Sequence, residues 1–233
     1  MVKKVAVRRC VAALAKVLTS TALLGAVTIC MLLAAGPSAA AVQQRYTYRV
    51  QDSFYGEIGT YSNTIEKSRD ATTMTTEAHI EVSVVGVPLY RQDVSRIERQ
   101  VGDRLVYFHG VTTENGEAIE VDGRAEGEHF VITTPSGKVT APGTILTVSP
   151  WSVGTLRGDT VLMPDTGLVT KIHTSGGEEI SITVDGASTR VRRYQIDTVD
   201  GRERYEVWMD DQATPVMFRI QDHEGTVTFT LVK

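Results

Sequence analysis

The chain has 233 residues, with 24 lysines and arginines against 28 aspartates and glutamates, and 6% aromatic residues. That composition excludes a disulfide-stapled miniprotein, a collagen-like repeat, a disordered acidic tail and a basic nucleic-acid binder. The charge is unevenly divided: residues 1–41 carry Lys3, Lys4, Arg8, Arg9 and Lys16 and no acid, so the remainder has a net charge of −9, and it has no cysteine because Cys10 and Cys30 both lie in the first segment.

In chain order, the first element is an export signal. A basic start leads into an apolar run over 17–35, then Gly36-Pro37 and the small residues Ser38-Ala39-Ala40-Ala41. Basic region, apolar region and small-residue exit are the three parts of a secretory signal, with cleavage expected near Ala41 and a periplasmic destination. Val27-Thr28-Ile29 ahead of Cys30 does not fit a lipoprotein signal, and the residues after Arg8-Arg9 fit a twin-arginine signal poorly. Cleavage removes both thiols and leaves no stable membrane span, so disulfides, thiolate catalysis and cysteine-ligated zinc are not expected.

The remainder, 42–233, reads as one antiparallel β domain. Asn115-Gly116, Asp122-Gly123, Asp185-Gly186 and Asp200-Gly201 have the chemistry of two-residue turns, and Ser136-Gly137, Gly176-Gly177 and Glu224-Gly225 are weaker versions. Between them lie stretches rich in Val, Ile, Thr and Tyr. The predicted strands are 44–53, 57–67, 71–85, 88–101, 104–114, 117–126, 129–134, 138–141, 167–175, 178–184, 189–199, 202–209, 215–221 and 226–232. Tyr46, Tyr48 and Val50 alternate with polar residues, as do Tyr205, Val207 and Met209, which predicts one packed and one mainly wet face. Arg91, Asp93, Arg96, Glu98 and Arg99 put charge on both sides of 88–101, which predicts a long twisted hairpin partly at a sheet edge.

Residues 141–166 interrupt this rhythm with three prolines, three glycines and Trp151. A connection of that length is a lid, a crossover or a functional loop. Within it, Ser149-Pro150-Trp151 suits the start of a short helix over 149–156.

Catalytic motifs are sparse. There is no G-x-S-x-G, no glycine-rich phosphate cradle and no paired-histidine spacing among His79, His109, His129, His173 and His223. The acids Asp210-Asp211, Glu178-Glu179 and Asp222/Glu224 sit near predicted turns, where carboxylates are normally solvated. The basic cluster Arg190, Arg192 and Arg193 is expected to be neutralised by Glu203 and Glu206 on the next strand.

An ordered set of segments resembles a known family: Tyr48, Gly56-Glu57-Ile58-Gly59, the run 80–90, Glu98, Gly102-Asp103-Arg104-Leu105, Thr112-Thr113-Glu114-Asn115-Gly116, Trp208-Met209-Asp210 and Pro215-Val216. Together they look like the secreted bacterial proteins of DUF6134, over about 44–233. The resemblance implies an exported all-β protein with no known activity. More distantly, the chain is similar to the half-barrels of periplasmic lipoprotein carriers. Those close their concave face with several helices, where this chain offers one short segment.

The resulting expectation is an all-β, strongly bent antiparallel sheet, a half-barrel or flattened barrel, that binds an apolar molecule or lipid and is not an enzyme. Candidate ligand contacts are Trp151 and Met163 in the long loop with Tyr90, Tyr107, Trp208 and Phe218, all of which also suit a core. No cofactor, metal or nucleic acid is expected. The alternatives are an assembly factor that offers a sheet edge to an envelope protein, and a hydrolase with acids brought together by folding.

Overall fold

The computed structural model describes residues 42–151, 153–184, 186–223 and 225–232, with Val153 described by its backbone alone. The export signal predicted in 1–41 lies outside the described residues. From Val42 onward, hairpins follow one another: β1 (Val42–Asp52), β2 (Gly56–Lys67), β3 (Thr72–Val84), β4 (Val87–Val101), β5 (Arg104–Glu114), β6 (Glu117–Glu126), β7 (His129–Thr134) and β8 (Gly137–Pro142). After two short strands, β9 (Leu146–Thr147) and β10 (Thr160–Leu162), come β11 (Val169–Val184), β12 (Ala187–Thr198), β13 (Arg204–Met209), β14 (Pro215–Gln221) and β15 (Thr226–Leu231). The turns of β1–β2, β3–β4 and β5–β6 gather at one end of the sheet, here the crown. Those of β2–β3, β4–β5 and β6–β7 gather at the other, the base.

Among the described residues these strands form one sheet, ordered β8-β7-β6-β5-β4-β3-β2-β1-β15-β14-β13-β12-β11-β10-β9. The first and last strands pair in its middle, with Tyr48 opposite Leu231. The two sheet edges, β8 and β9, are separated by residues 143–145 alone. Fifteen strands laid flat would span about 67 Å, whereas the link from Pro142 to Leu146 reaches at most about 14 Å. The sheet therefore has to curl, and it forms an open, flattened barrel.

The long connection enters that barrel. Leu146 and Leu162 pack inside with Leu105, Phe108, Phe130 and Ile132. Trp151 meets Tyr46 and Tyr48 with ring centroids 4.8 and 5.3 Å apart. The expected α-helix over 149–156 is instead a short 3₁₀ helix, Val153–Arg157, although the Ser149 hydroxyl does accept the Trp151 N–H at 3.4 Å. Val50, Val207, Phe218 and Phe229 complete the inner core on the opposite wall.

Four sequence-based expectations are corrected. The β3–β4 hairpin lies between β2 and β5, not at an edge; the charges of Arg96 and Glu98 point inward because polar partners wait there. Segments 167–175 and 178–184 are one strand, β11, in which Gly176 and Gly177 form a bulge and not a turn. Asp122-Gly123 lies within β6, where glycine is needed because a Cβ would come 2.4 Å from the Phe130 ring. The second face of β13 is dry: Trp208 is buried beneath Val184 and Val191 of the β11–β12 hairpin, and Glu206 is buried between Arg193 and Arg219.

Candidate ligand-binding site

The inner face of β2, β3 and β4 carries a polar layer. Thr76 Oγ1 donates to Asn63 Oδ1 at 2.5 Å, and Asn63 Nδ2 donates to the Tyr61 hydroxyl at 3.3 Å. Arg96 pairs with Asp165, a residue of the β10–β11 connection, and Thr112 Oγ1 donates to the same carboxylate at 3.0 Å. Register explains the clustering, because Asn63, Thr76 and Arg96 stand opposite one another on adjacent strands.

Toward the base, Glu98 is 4% exposed and accepts a hydrogen bond from Thr147 Oγ1 at 2.7 Å. Burial pushes its carboxyl up to about 7, against the lowering effects of the Thr147 hydroxyl and the Arg96 guanidinium. Tyr61 is pushed up to about 12, again by burial. Glu98 borders a cavity of about 330 Å³ at the base. Its apolar wall is made by Tyr46, Ile65 and Met74 from β1–β3 and by Leu146 and Trp151 from the inserted connection. The buried indole Nε1 of Trp151 has no hydrogen-bond partner among the described residues. Lys67 and Asp103 stand at the opening. A recess of about 930 Å³ adjoins it, sharing Asp103, Leu146 and Gly154.

Of the six candidate ligand contacts, Trp151 lines this cavity. Met163 packs beside Val161, Ile172 and Ile196, and Tyr90 rests on the inner core. Phe218 is stacked on Phe229 with centroids 4.1 Å apart. Tyr107 lies on the outer face beneath the Arg124 guanidinium, 5.2 Å from it. Trp208 is also outside, flanked by Arg193 at 5.9 Å and Arg219 at 5.2 Å. Sequence reasoning missed Glu98, Tyr46, Ile65 and Met74. Glu98 had a usable signal: it shares a face of β4 with Arg96 and the buried Val94, an unusual place for two charges.

The predicted basic cluster and the turn acid Asp210 are engaged elsewhere. Arg190 and Arg192 reach Glu179 at 3.3 and 3.7 Å, while Glu206 takes both Arg193 and Arg219. The neutralising acids thus come from β11 and from Glu206; Glu203 instead accepts the Tyr205 hydroxyl. Asp210 accepts the N–H groups of Gln212 and Thr214 at 2.9 and 2.8 Å, as a turn cap. On the outer face His109, Glu120 and Asp122 bring ligand atoms within 4.8 Å of one another. His109 Nδ1 lies 3.0 Å from Asp122 Oδ1, an imidazole–carboxylate contact.

A family described as a domain of unknown function, DUF6134, matches residues 56–232. The chain belongs to the DUF6134 family. No curated protein matches it. Among solved structures, it is similar to a beta-barrel-like protein of domain of unknown function DUF1849 from Brucella abortus. That likeness has a TM-score of 0.64 at 14% identity and covers 82% of this chain and 96% of the other. At that identity it speaks for the fold alone, a curled sheet shared with another protein of unknown function.

Proposed function

We propose that this DUF6134 protein is an exported, non-catalytic envelope protein that binds an amphipathic molecule, an acyl chain or lipid fragment with one polar group, in its basal cavity. The observation that carries this reading is one pairing. Glu98, whose buried carboxyl has a raised pKa, and Trp151, whose buried indole N–H has no partner among the described residues, line the same cavity with Tyr46, Ile65 and Met74. A space needed only for packing would be filled by side chains, because interiors are close-packed. Burying an N–H without a partner costs about 1–3 kcal/mol, a cost that a ligand acceptor relieves when the ring turns its N–H toward the cavity. The adjoining recess, lined by Ile145 and Leu146 together with Asp103, Arg104, Arg157 and Asp159, extends the space open to the ligand.

Titration with a fluorescent fatty acid tests this, alongside urea melts, on wild type and Trp151→Phe. The variant keeps a ring against Tyr46 and Tyr48 but loses the N–H. Its stability is expected to stay within about 1 kcal/mol, while its affinity falls about tenfold, the worth of one hydrogen bond in a dry site. Absence of saturable binding by wild type would remove the carrier reading.

A second reading rests on β8, which ends the sheet with one side unpaired. An envelope protein adding a strand there would make this chain an assembly factor. Lys138 and Pro142 on that strand are residues that discourage such pairing, so the cavity reading is favoured.

A further inference from the structure

Two neighbouring turns of the crown are apolar, beside polar ones such as 114–117. Base turns are built from residues such as Ser68, Asp70, Asp103 and Glu128. At the crown, the β1–β2 turn presents Phe54 and Tyr55, and the neighbouring β3–β4 turn presents Val84, Val85, Val87 and Leu89, all exposed. Leu168 and Val199 lie at the same end and are exposed as well. The β3–β4 tip also projects: β2 pairs with β3 only as far as Ile80, and β5 pairs with β4 only from Gln92.

Val85 decides what this apolar tip is for. It is 98% exposed, and its φ is 51°. The left-handed region is costly for a β-branched residue. The adjacent hairpin β5–β6 makes the same two-residue connection with Asn115 at 50° and Gly116 at 92°, against Val85 at 51° and Gly86 at 77°. The chain thus uses the favoured Asn-Gly in one turn and a strained, fully exposed valine in the other. Neither folding nor solubility gains from that choice, and strain of this kind concentrates at functional sites.

We propose that the crown docks onto a lipid bilayer surface, with the tips of β1–β2 and β3–β4 entering the headgroup region. Shape and charge select this occupant. The β3–β4 tip is a convex projection, which a fluid apolar layer accepts without a matching socket. Behind the tips stand the exposed acids Glu57, Glu81, Glu114 and Glu117, none of which has a Lys or Arg ion pair among the described residues. That collar complements the ammonium groups of phosphatidylethanolamine and phosphatidylcholine and repels anionic lipid. This inference is independent of the basal cavity, which opens at the opposite end.

The test places a tryptophan in the full chain at the crown, Val85→Trp, or at the base, Val101→Trp, and adds vesicles of phosphatidylcholine and phosphatidylethanolamine containing brominated lipid. The added fluorescence of Val85→Trp is expected to shift to the blue and be quenched, that of Val101→Trp to remain unquenched, and the contrast to weaken in phosphatidylglycerol. Because residues 1–41 are common to both variants, any vesicle binding by that segment cancels. Val85→Asn should bind vesicles about tenfold more weakly than wild type, the worth of one valine-sized side chain, yet melt at a higher temperature because Asn suits the turn. Equal quenching at both positions, no quenching at position 85, or unchanged vesicle binding by Val85→Asn would each overturn the proposal; the last two are the results a protein partner at the crown would give.

Discussion

Glu98 shows how one side chain ties the interior to pH. Its pKa of about 7 in the folded chain exceeds the ordinary value of 4.5, so the folded state holds a proton that the unfolded chain releases between those values. Its contribution is fully present below about pH 4.5 and is lost as pH rises through about 7, a fall of about 3 kcal/mol. Glu98→Gln keeps an acceptor for Thr147 without a titrating group. Urea melts from pH 4.5 to 8 should show the wild type losing stability relative to the variant, with the variant the more stable at pH 8. Parallel profiles would count against the raised pKa. In the sequence Glu98 is one of five charges on a β-strand, a pattern that by itself suits a hairpin partly at a sheet edge. Its burial depends on Thr147, which arrives from 49 residues away.

At the scale of elements, the β11–β12 hairpin makes a second small core outside the barrel. Gly176 and Gly177, with φ of 101° and 98°, put a bulge into β11. Beyond the bulge Val184 and Val191 lie over Trp208, Val216 and the aliphatic part of the outer face. A Cβ at Gly176 would come 2.6 Å from the Arg193 carbonyl, whereas one at Gly186, in the hairpin's own turn, would meet nothing within 4 Å. Gly176→Ala should therefore cost about 3 kcal/mol, positive φ plus a backbone clash, and should expose Trp208, with its emission moving to the red. Gly186→Ala should cost about 1 kcal/mol from φ alone. Equal losses at the two positions would mean that the bulge does not seat the hairpin. From the sequence Gly176-Gly177 looked like one more turn, because a bulge and a turn call for the same positive-φ residues.

At the scale of the whole molecule, the sheet is held at its middle by the pairing of its first and last strands and left open between β8 and β9. Val232 N–H donates to Thr47 O at 2.8 Å, so the C-terminal strand ends about 17 Å along β1 from Val42. A circular permutant that joins 232 to 42 through about six flexible residues and opens the chain within 143–145 preserves every strand pair. It is expected to keep the wild-type near-ultraviolet circular dichroism and a cooperative melt. Loss of folding would show that the link between β8 and β9, and not strand pairing, maintains the curl.

The hairpins from β1 to β8 and from β12 to β15 were legible in the sequence because alternation and turn chemistry act over a few residues, within one strand and its immediate neighbour. All-β class and family membership followed from the same local patterns. Two short strands, β9 and β10, escaped notice, since two or three residues hold no period. Tertiary structure decided that the sheet curls until β8 and β9 come together, that 141–166 enters the barrel, and that Trp151 meets Glu98 at one cavity while Trp208 lies outside. Those outcomes rest on contacts such as Thr147 with Glu98 and Asp165 with Arg96, 49 and 69 residues apart. Partners at that separation leave no periodic trace in the sequence; they are selected only when the closed sheet brings its two walls within reach of the segment between them.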